Sequence, residues 1–260
     1  MTYQAFDLSG KVALITGGNG GIGLGMAEAV AQAGASVCIW GRNEEKNAAA
    51  QAQLEATGVK ALALPIDVGD EAAVADGMAR TIAEFGRIDA CFANAGVSTR
   101  GKSIFDISAE EWRRVTAINL DGAFFTMKAA AAHMKERAKA GDPGGRLIGT
   151  ASLAAVSGAP GNEHYAATKG GLISMIKALA VGMARHGVTV NAVLPGWIET
   201  AMTSDAFAWE KFEQAVLPRI PMRRWGKPED FGAIAVYIMS DASGYHTGET
   251  FMIDGGYFLF

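Results

Sequence analysis

The most constraining feature of this 260-residue chain is the regular alternation of short apolar runs with longer segments of helical composition. Strands that alternate with helices are typical of parallel βαβ units. Right-handed crossovers then place helices on both faces of one doubly wound parallel sheet. We therefore expect an α/β fold in which residues 1–260 form a single domain. The runs predicted as strands span residues 11–16, 36–40, 61–68, 88–93, 146–150, 188–196 and 250–253. The segments predicted as helices span residues 24–34, 43–57, 71–85, 108–119 and 122–139 and begin again at 164 and 228, with an irregular stretch up to 227.

The composition excludes several classes of protein. Half of the residues are hydrophobic and 19% are charged, as in globular proteins and unlike disordered ones. A formal net charge of −4 offers no basic field for nucleic acid or an anionic membrane. The chain has no membrane-span pattern, and its first residues lack that of a secretion signal, so we expect a cytoplasmic protein. Cys38 and Cys91 lie within apolar runs and are expected to be buried free thiols.

A glycine-rich turn, Gly17-x-x-x-Gly21-x-Gly23, follows the first predicted strand and opens the first predicted helix. Glycines let a backbone turn tightly and approach a pyrophosphate, which the free N–H groups of the helix then face. The spacing differs from the common G-x-G-x-x-G fingerprint, and a tight turn without a ligand is the alternative. The candidate cofactor contacts in this turn are Gly17, Asn19, Gly21, Ile22 and Gly23.

The end of the second predicted strand bears on the choice of cofactor. An acidic residue there would bind the ribose 2′-hydroxyl of NAD, but this chain has Gly41, Arg42 and Asn43 instead. Arg42 can pair with a 2′-phosphate, and the pattern favours NADP with NAD use left open. The alternative is that Arg42 lies in a solvated loop, where Glu44 and Glu45 weaken the local positive field.

Asp67 and Val68 end the third predicted strand and are further candidate cofactor contacts. The Asp67 carboxylate can accept a hydrogen bond from the adenine amino group. It could instead cap the helix that follows, a role that Asp70 could fill as well.

Tyr165 and Lys169 are spaced four residues apart at the start of a predicted helix. Positions i and i+4 lie on the same face of a helix, so the ammonium group lies beside the phenol. A neighbouring cation favours the phenolate and lowers the pKa of the tyrosine from about 10 toward neutrality. Tyr165 is therefore a candidate proton donor and acceptor, although this spacing also occurs by chance in many helices.

These motifs occur in an ordered set that resembles the short-chain dehydrogenase/reductase family over nearly the whole chain. The resemblance implies a Rossmann-type domain, usually with a seven-stranded parallel sheet, and often a homotetramer. It also implies hydride transfer between nicotinamide C4 and a secondary alcohol or ketone. The set comprises Thr16-Gly17-x-x-x-Gly21-x-Gly23, Asn94-Ala95-Gly96, Asn119, Ser152, Tyr165-x-x-x-Lys169 and Pro195-Gly196.

The resemblance also implies individual roles. Tyr165 would be the acid/base, and Lys169 would hold the nicotinamide ribose and lower the tyrosine pKa. Ser152 would donate a hydrogen bond to the substrate oxygen, and Asn119 would hold a water molecule in a proton relay. Taken alone, Ser152 could equally cap a turn and Asn119 could end a helix. The remaining cofactor contacts implied by the family are Asn94, Ala95, Gly96, Pro195, Gly196, Ile198 and Thr200. Some NADP-using members carry a basic residue at the position of Gly20, so here Arg42 must determine the preference alone.

Substrate specificity is expected in three loops, at residues 97–105, 153–163 and 197–225. The third is rich in aromatic residues and is interpreted as a lid over an apolar or cyclic substrate, although half of its rings could be core or subunit contacts. Its three arginines could meet an anionic group, remain solvated or lie at a dimer edge. Together with three other cations they leave room for an acyl-carrier partner. These cations are Arg219, Arg223 and Arg224, with Arg113, Arg114 and Lys128 elsewhere.

Two further expectations concern metals and assembly. The four histidines form no ligand-like pair, so we expect no catalytic metal. The apolar end of the chain, residues 254–260, and the apolar face between Leu172 and Met183 suggest burial against another subunit.

We interpret the chain as an NADP-preferring oxidoreductase that interconverts a secondary alcohol and a ketone, with a small-molecule substrate and with no nucleic-acid or membrane partner. One alternative is a 3-oxoacyl-(acyl-carrier-protein) reductase. An alternative of another class is a catalytically dormant nucleotide-binding regulator. The joint presence of Asn119, Ser152, Tyr165 and Lys169 argues against dormancy.

Overall fold

The sheet has seven parallel strands, as the pattern of apolar runs and the family resemblance predicted, and their order is β3-β2-β1-β4-β5-β6-β7. This computed structural model describes residues 4–99 and 103–259. The third strand is shorter than predicted and ends before Pro65, which has no N–H to donate to the sheet. Asp67 and Val68 therefore lie in the loop beyond it. The strands are β1 Val12–Thr16, β2 Ser36–Trp40, β3 Ala61–Leu64, β4 Ala90–Ala93, β5 Gly145–Thr150, β6 Val188–Pro195 and β7 Thr250–Ile253.

The helices follow the predicted order with two corrections. The segment predicted as one helix over 108–119 stops at Thr116, and residues Ala117–Asp121 form a π-helical turn before α5. The stretch expected to be irregular contains two short helices, α8 and α9, whose few residues carry too weak a periodicity to detect. The helices are α1 Gly21–Gln32, α2 Glu44–Glu55, α3 Glu71–Phe85, α4 Ala109–Thr116, α5 Gly122–Lys139, α6 Ala154–Ser157, α7 Glu163–Met183, α8 Ser204–Phe207, α9 Glu210–Val216 and α10 Gly232–Met239.

The helices cover both faces of the sheet, as a doubly wound fold requires. Successive strand side chains point to opposite faces, so Leu14 packs with α3, α5 and α7, whereas Ala13 and Ile15 pack with α1, α2 and α10. Within the described residues, none of these helices has the length and apolar character needed to traverse a bilayer.

The core also contains both cysteines. Cys38 and Cys91 are free and buried, as predicted. Burial raises the pKa of the Cys38 thiol to about 11 and that of Cys91 to about 12. Both thiols therefore remain protonated and unreactive near neutral pH.

The parallel arrangement determines where a site can form. All seven strands end at the same edge of the sheet, so the loops after β1, β2, β4, β5 and β6 lie side by side. In doubly wound folds, ligands bind at this carboxyl edge. Most candidate catalytic and cofactor residues lie at or just beyond the carboxyl end of a strand, whereas Asn119 lies in the π turn before α5 and Tyr165 and Lys169 lie on α7.

Candidate active site

Lys169 is a buried cation on α7, with only 3% of its surface exposed. Its Nζ atom donates a hydrogen bond to the backbone oxygen of Thr150, at the end of β5, over 2.6 Å. The same atom lies 5.5 Å from the centre of the Tyr165 ring, so the ammonium and the phenol share one helix face as predicted. Burial lowers the pKa of Lys169 from 10.5 to about 8, which leaves it mostly protonated at neutral pH.

Asn119 lies in the π-helical turn between α4 and α5, so it does not end a helix. Its Oδ1 atom accepts a hydrogen bond from the Val97 N–H over 2.8 Å, and its Nδ2 atom donates to the Val97 oxygen over 2.9 Å. Nδ2 also lies 3.3 Å from the Thr168 hydroxyl, on the catalytic helix. The extra residue of a π turn is frequent at functional sites, and here it places the amide between β4 and α7.

Gly96 shows how closely these groups converge. An ideal Cβ atom at Gly96 would lie 3.4 Å from Asn119 Oδ1 and 3.5 Å from Lys169 Nζ. The loop after β4, the π turn and α7 therefore meet at one point, with Gly96 within van der Waals distance of both the amine and the amide.

Ser152 follows β5 by two residues, and its Oγ atom accepts a hydrogen bond from the Ala154 N–H over 3.1 Å. Ser152 therefore stabilises a turn, as the alternative interpretation predicted. It can still donate a hydrogen bond to a substrate oxygen, because a hydroxyl that accepts one hydrogen bond keeps its own hydrogen for donation. The bond orients Oγ at the carboxyl edge of the sheet.

The glycine-rich turn packs directly on the end of β4. A Cβ atom at Gly23 would overlap the Gly17 oxygen and Asn94 Nδ2, and Gly17 itself adopts a left-handed φ of 64°. The Asn94 and Ala95 N–H groups both donate to the Thr16 hydroxyl over 3.0 Å. The turn is therefore held against β4 in a conformation that only glycines permit.

The first turn of α1 is suited to an anion. The helix begins after Gly20 without a side-chain cap, and it has no acidic residue in its first turn. Free N–H groups at a helix N-terminus, approached through glycines, are the usual cradle for a pyrophosphate. These residues fit the phosphates of a dinucleotide. Ile22 is partly buried and packs against the core beneath this turn.

The segment after β6 reaches the glycine-rich turn from the other side. An ideal Cβ atom at Gly21 would lie 3.2 Å from the Thr200 side chain. Pro195 ends β6, the Gly196 N–H donates to the Ile253 oxygen over 3.0 Å, and Ile198 is buried. The structure thus brings the predicted contacts at 195–200 next to those at 17–23.

The residues predicted at the ribose and adenine positions occupy the neighbouring edge. Arg42 Nη1 lies 3.7 Å from Asp67 Oδ2, and both side chains are about half exposed. Asn43 caps α2 by accepting the Lys46 N–H over 2.8 Å, and Asp70 rather than Asp67 caps α3. Val68 is buried in the core.

Sequence reasoning missed two links between the catalytic helix and the loop after β4. Asn162 Nδ2 donates to the Ser98 hydroxyl over 2.8 Å, and His164 Nε2 lies 2.6 Å from the Thr99 hydroxyl. Both side chains are buried and flank the start of α7. No local pattern could have revealed them, because the partners are about 65 residues apart. Residues 100–102 of the predicted loop 97–105 lie outside the described residues.

The predicted lid contains a packed aromatic cluster formed by Trp197, Phe207, Phe212 and Trp225. The Phe207 and Trp225 rings stack with centroids 4.1 Å apart, and Trp197 meets Phe212 edge-on at 4.9 Å. Trp209 is 60% exposed and lies outside these ring contacts. Four of the five lid aromatics therefore pack with one another, which favours a preformed apolar cover.

The arginines of this region have intramolecular partners. Arg224 forms a two-pronged ion pair with Asp230, at 2.6 and 2.8 Å, which lowers the pKa of that carboxyl to about 2. Arg219 lies over the Tyr257 ring at 4.6 Å, and Arg223 donates to the Pro218 oxygen. These contacts weaken the expectation that the three arginines meet an anionic group.

The apolar face of α7 was assigned to a subunit contact, and this was wrong. Leu172, Ile176 and Met183 are buried in the chain's own core against the sheet. Val181, on the outer side of the same helix, is 83% exposed, and Leu259 near the chain end is 88% exposed. Residue 260, the last of the predicted apolar end, lies outside the described residues.

The described residues were also compared with the requirements of a metal site and of a large ligand cavity. Within residues 4–99 and 103–259, no group of three histidine, cysteine or acidic side chains could hold a metal ion. A cavity of about 590 Å³ lies beside β7 and α10 and contains none of the candidate catalytic side chains. The candidate catalytic residues therefore converge at Gly96 and lie apart from this cavity.

Comparison with known proteins gives full-length matches. A family model described as enoyl-(acyl carrier protein) reductase matches residues 17–258. The chain is 37% identical to gluconate 5-dehydrogenase of Gluconobacter oxydans over 251 residues, 96% of each protein. It is 35% identical to the 3-oxoacyl-(acyl-carrier-protein) reductase of Chlamydia pneumoniae over 250 residues, 96% of this chain and 97% of that protein.

Two solved structures share the fold at similar identity. A short-chain type dehydrogenase/reductase from Mycobacterium marinum superposes with a TM-score of 0.91 at 35% identity and 98% coverage of both chains. A gluconate 5-dehydrogenase from Burkholderia cenocepacia, in complex with NADP and tartrate, superposes with a TM-score of 0.92 at 32% identity, covering 99% of this chain and 98% of that one.

Proposed function

This chain belongs to the short-chain dehydrogenase/reductase family, and we propose that it is an NADP-preferring enzyme acting on apolar or cyclic secondary alcohols and the corresponding ketones. The reaction class, NAD(P)-dependent interconversion of an alcohol and a ketone, follows from the family. The proposal that this chain carries a complete catalytic site is supported above all by one observation. Lys169 Nζ, Asn119 Oδ1 and Gly96 meet at one point beside Tyr165.

The mechanism uses Tyr165 as the proton donor to the carbonyl oxygen during reduction and as the proton acceptor during oxidation. Hydride transfer is the chemistry that a nicotinamide cofactor supplies to this site. Lys169 holds a positive charge near the phenol and stabilises the phenolate that forms. Ser152 donates its free hydroxyl hydrogen to the substrate oxygen, where negative charge develops. Asn119 spans the loop and the helix, and its amide provides polar contacts for a water molecule in the relay from Lys169.

The cofactor preference rests on the end of β2, where Arg42 stands in place of an acidic residue. The solved structure from Burkholderia cenocepacia contains NADP, and another similar structure, from Brucella melitensis, contains NADH. Membership of the family is therefore compatible with either cofactor. In this chain Arg42 is exposed and held near Asp67 by a long, 3.7 Å ion pair. Such a pair contributes little and leaves the guanidinium available to a 2′-phosphate.

Replacing Arg42 by alanine should raise the KM for NADPH by about 10-fold or more and change the KM for NADH by less than about 3-fold. The reason is that only NADPH offers a phosphate for the guanidinium to pair with. Steady-state kinetics with both cofactors measures the difference. Arg80→Ala is the matched control, because Arg80 is an exposed arginine on α3 whose partner is Asp76. Equal effects on the two cofactors would show that Arg42 does not read the phosphate.

The substrate class rests on the aromatic cluster of the lid and on the arginines that are already paired. An apolar cover whose three arginines already have intramolecular partners suits a cyclic ketone better than a carboxylate. The 3-oxoacyl-(acyl-carrier-protein) reductase alternative is supported by the 35% identical relative and by the exposed Arg113 and Arg114 on α4. Kinetics with cyclic ketones and with acetoacetyl thioesters separates the two: we expect kcat/KM to favour the cyclic ketones.

Replacing Trp225 by alanine should raise the KM for a cyclic ketone by about 10-fold, since it removes the ring that stacks on Phe207. The KM for the cofactor should remain within about 2-fold. Trp209→Ala is the control, because this tryptophan is exposed and lies outside the stacked cluster. If both variants behave alike, the cluster is not part of the substrate site.

We further propose that the enzyme is a cytoplasmic homotetramer. Exposed apolar side chains on the outer faces of three helices support an assembly, namely Trp112, Phe124 and Val181, which are 45%, 44% and 83% exposed. Light scattering on the purified protein tests the state directly. A monodisperse monomer at micromolar concentration would contradict the proposal.

A further inference from the structure

Asn47 is a buried amide on the first turns of α2, with 4% of its surface exposed. Its Nδ2 atom donates to the Gly41 oxygen over 2.8 Å and lies 3.3 Å from the Leu64 oxygen. These carbonyls belong to the ends of β2 and β3. Its Oδ1 atom accepts a hydrogen bond from Asn19 Nδ2, in the glycine-rich turn, over 2.6 Å. One side chain therefore ties together three segments that are distant in sequence.

The orientation of this contact is determined by chemistry. Both donated hydrogens of the Asn47 amide are directed to backbone carbonyls, which cannot donate in return. Turning the amide over would place its oxygen against those two oxygens, so Oδ1 must face Asn19. Asn19 must then present its own Nδ2 to Asn47. The pair thus fixes the side-chain conformation of Asn19, which lies in the glycine-rich turn that would face the phosphates.

Gly41 is explained by the same pair. An ideal Cβ atom there would overlap Asn19 Nδ2 and lie 2.7 Å from Asn47 Oδ1. The residue directly before Arg42 is therefore a glycine because the two amides occupy the space of a side chain. The phosphate-facing turn and the segment that carries Arg42 are joined at this point.

We propose that Asn47 is a positioning residue for the dinucleotide, which locks the glycine-rich turn to the segment 41–43. The proposal rests on the proposed function, because it assumes that these two segments bind the pyrophosphate and the adenosine ribose. A turn held in its bound conformation before binding loses less conformational entropy when the cofactor binds. The predicted effect is on cofactor affinity and not on the chemical step.

The test is the dissociation constant of NADPH and of NADH, measured by isothermal titration with wild type, Asn47→Ala and Asn19→Ala. Each single variant should weaken the binding of both cofactors by about 10-fold, because each breaks the contact that holds the turn in its bound conformation. At saturating cofactor, Asn47→Ala should keep kcat and the KM for the ketone within about 2-fold of wild type. The double variant should bind no more weakly than the weaker single variant, because both substitutions break the same contact.

Asn191 provides a matched control. It is a fully buried asparagine of β6 whose Nδ2 donates to the His246 oxygen over 2.9 Å and whose Oδ1 accepts the Glu249 N–H over 3.0 Å. Asn191→Ala should lower the melting temperature without changing either dissociation constant. If Asn47→Ala behaves like Asn191→Ala, with lost stability and unchanged affinity, the proposal is wrong.

Failure of this proposal can be distinguished from poor folding of a variant and from failure of the proposed function. Asn19→Ala leaves the Asn47 contacts to Gly41 and Leu64 intact, so it tests the link even if Asn47→Ala folds poorly; unchanged affinity in Asn19→Ala overturns the proposal. Wild-type protein that binds neither NADPH nor NADH would instead refute the proposed function. Purely additive losses in the double variant would show that the two amides act independently, which also contradicts the proposal.

Discussion

Replacement of Tyr165 by phenylalanine will lower kcat/KM for ketone reduction by about 10³-fold or more, in the upper part of the range for removing a general acid. The substitution deletes one oxygen atom and keeps the ring beside Lys169, which lies 5.5 Å from its centre. Without the hydroxyl, residue 165 can no longer pass a proton to the carbonyl oxygen as charge develops there. Initial rates under saturating cofactor measure the loss.

The affinity for the cofactor should change little in Tyr165→Phe, since the glycine-rich turn and the Arg42 segment are untouched. Tyr245→Phe serves as the control because Tyr245 is fully exposed. Retention of more than about a tenth of wild-type activity in Tyr165→Phe would remove the basis for its assignment as the acid/base.

Replacement of Lys169 by methionine will lower activity by about 10² to 10⁴-fold, because the phenolate of Tyr165 loses its neighbouring cation. Methionine keeps a long, unbranched side chain in the same buried space. Lys177→Met is the control on the same helix, since Lys177 is exposed. Activity in Lys169→Met close to that of the control would show that the buried ammonium has no part in the reaction.

The same substitution makes a prediction about stability and pH. Burial lowers the pKa of Lys169 to about 8, whereas the unfolded chain keeps the ordinary value of 10.5. Between these values the unfolded chain binds more protons, so the wild-type free energy of unfolding rises with pH over this range. Below pH 8 both states are protonated and the full cost of burying the charge applies.

The variant lacks this group, so its stability relative to wild type should be greatest at neutral pH and should fall by about 3 kcal/mol between pH 8 and 10.5. The lost hydrogen bond to the Thr150 oxygen lowers the stability of the variant by a constant amount across this range. Chemical denaturation at several pH values measures the difference. A stability difference that is independent of pH would show that the folded protein does not lower the pKa of Lys169.

The strands and long helices followed from local pattern because each is defined by residues that are adjacent in sequence. α3 was predicted at its observed bounds, since Asp70 caps it and Gly86 ends it in a left-handed conformation. The ends of β3 and of α4 were wrong. Pro65 removes a sheet donor, and the π turn at Asn119 depends on packing that periodicity does not encode.

In the candidate site, too, local features were predicted from the sequence and long-range contacts were not. Tyr165 and Lys169 were predicted to share a helix face, which four-residue spacing determines. The partner that holds Lys169 is the Thr150 backbone oxygen, and a backbone carbonyl leaves no signature in a sequence. The lid was expected from its aromatic residues, but the stacking of Phe207 on Trp225 could not be inferred from their positions.

By itself, the amino-acid sequence determined the order of strands and helices, the family, the reaction class and the side chains expected to carry the chemistry. Only the tertiary structure decided which distant groups touch, as when Asn19 meets Asn47 beside Gly41 or when Asn119 and Lys169 converge on Gly96. The physical reason is the separation of the interacting residues along the sequence. Backbone geometry relates residues a few positions apart, whereas contacts across the carboxyl edge depend on how seven strands align and on how their loops pack.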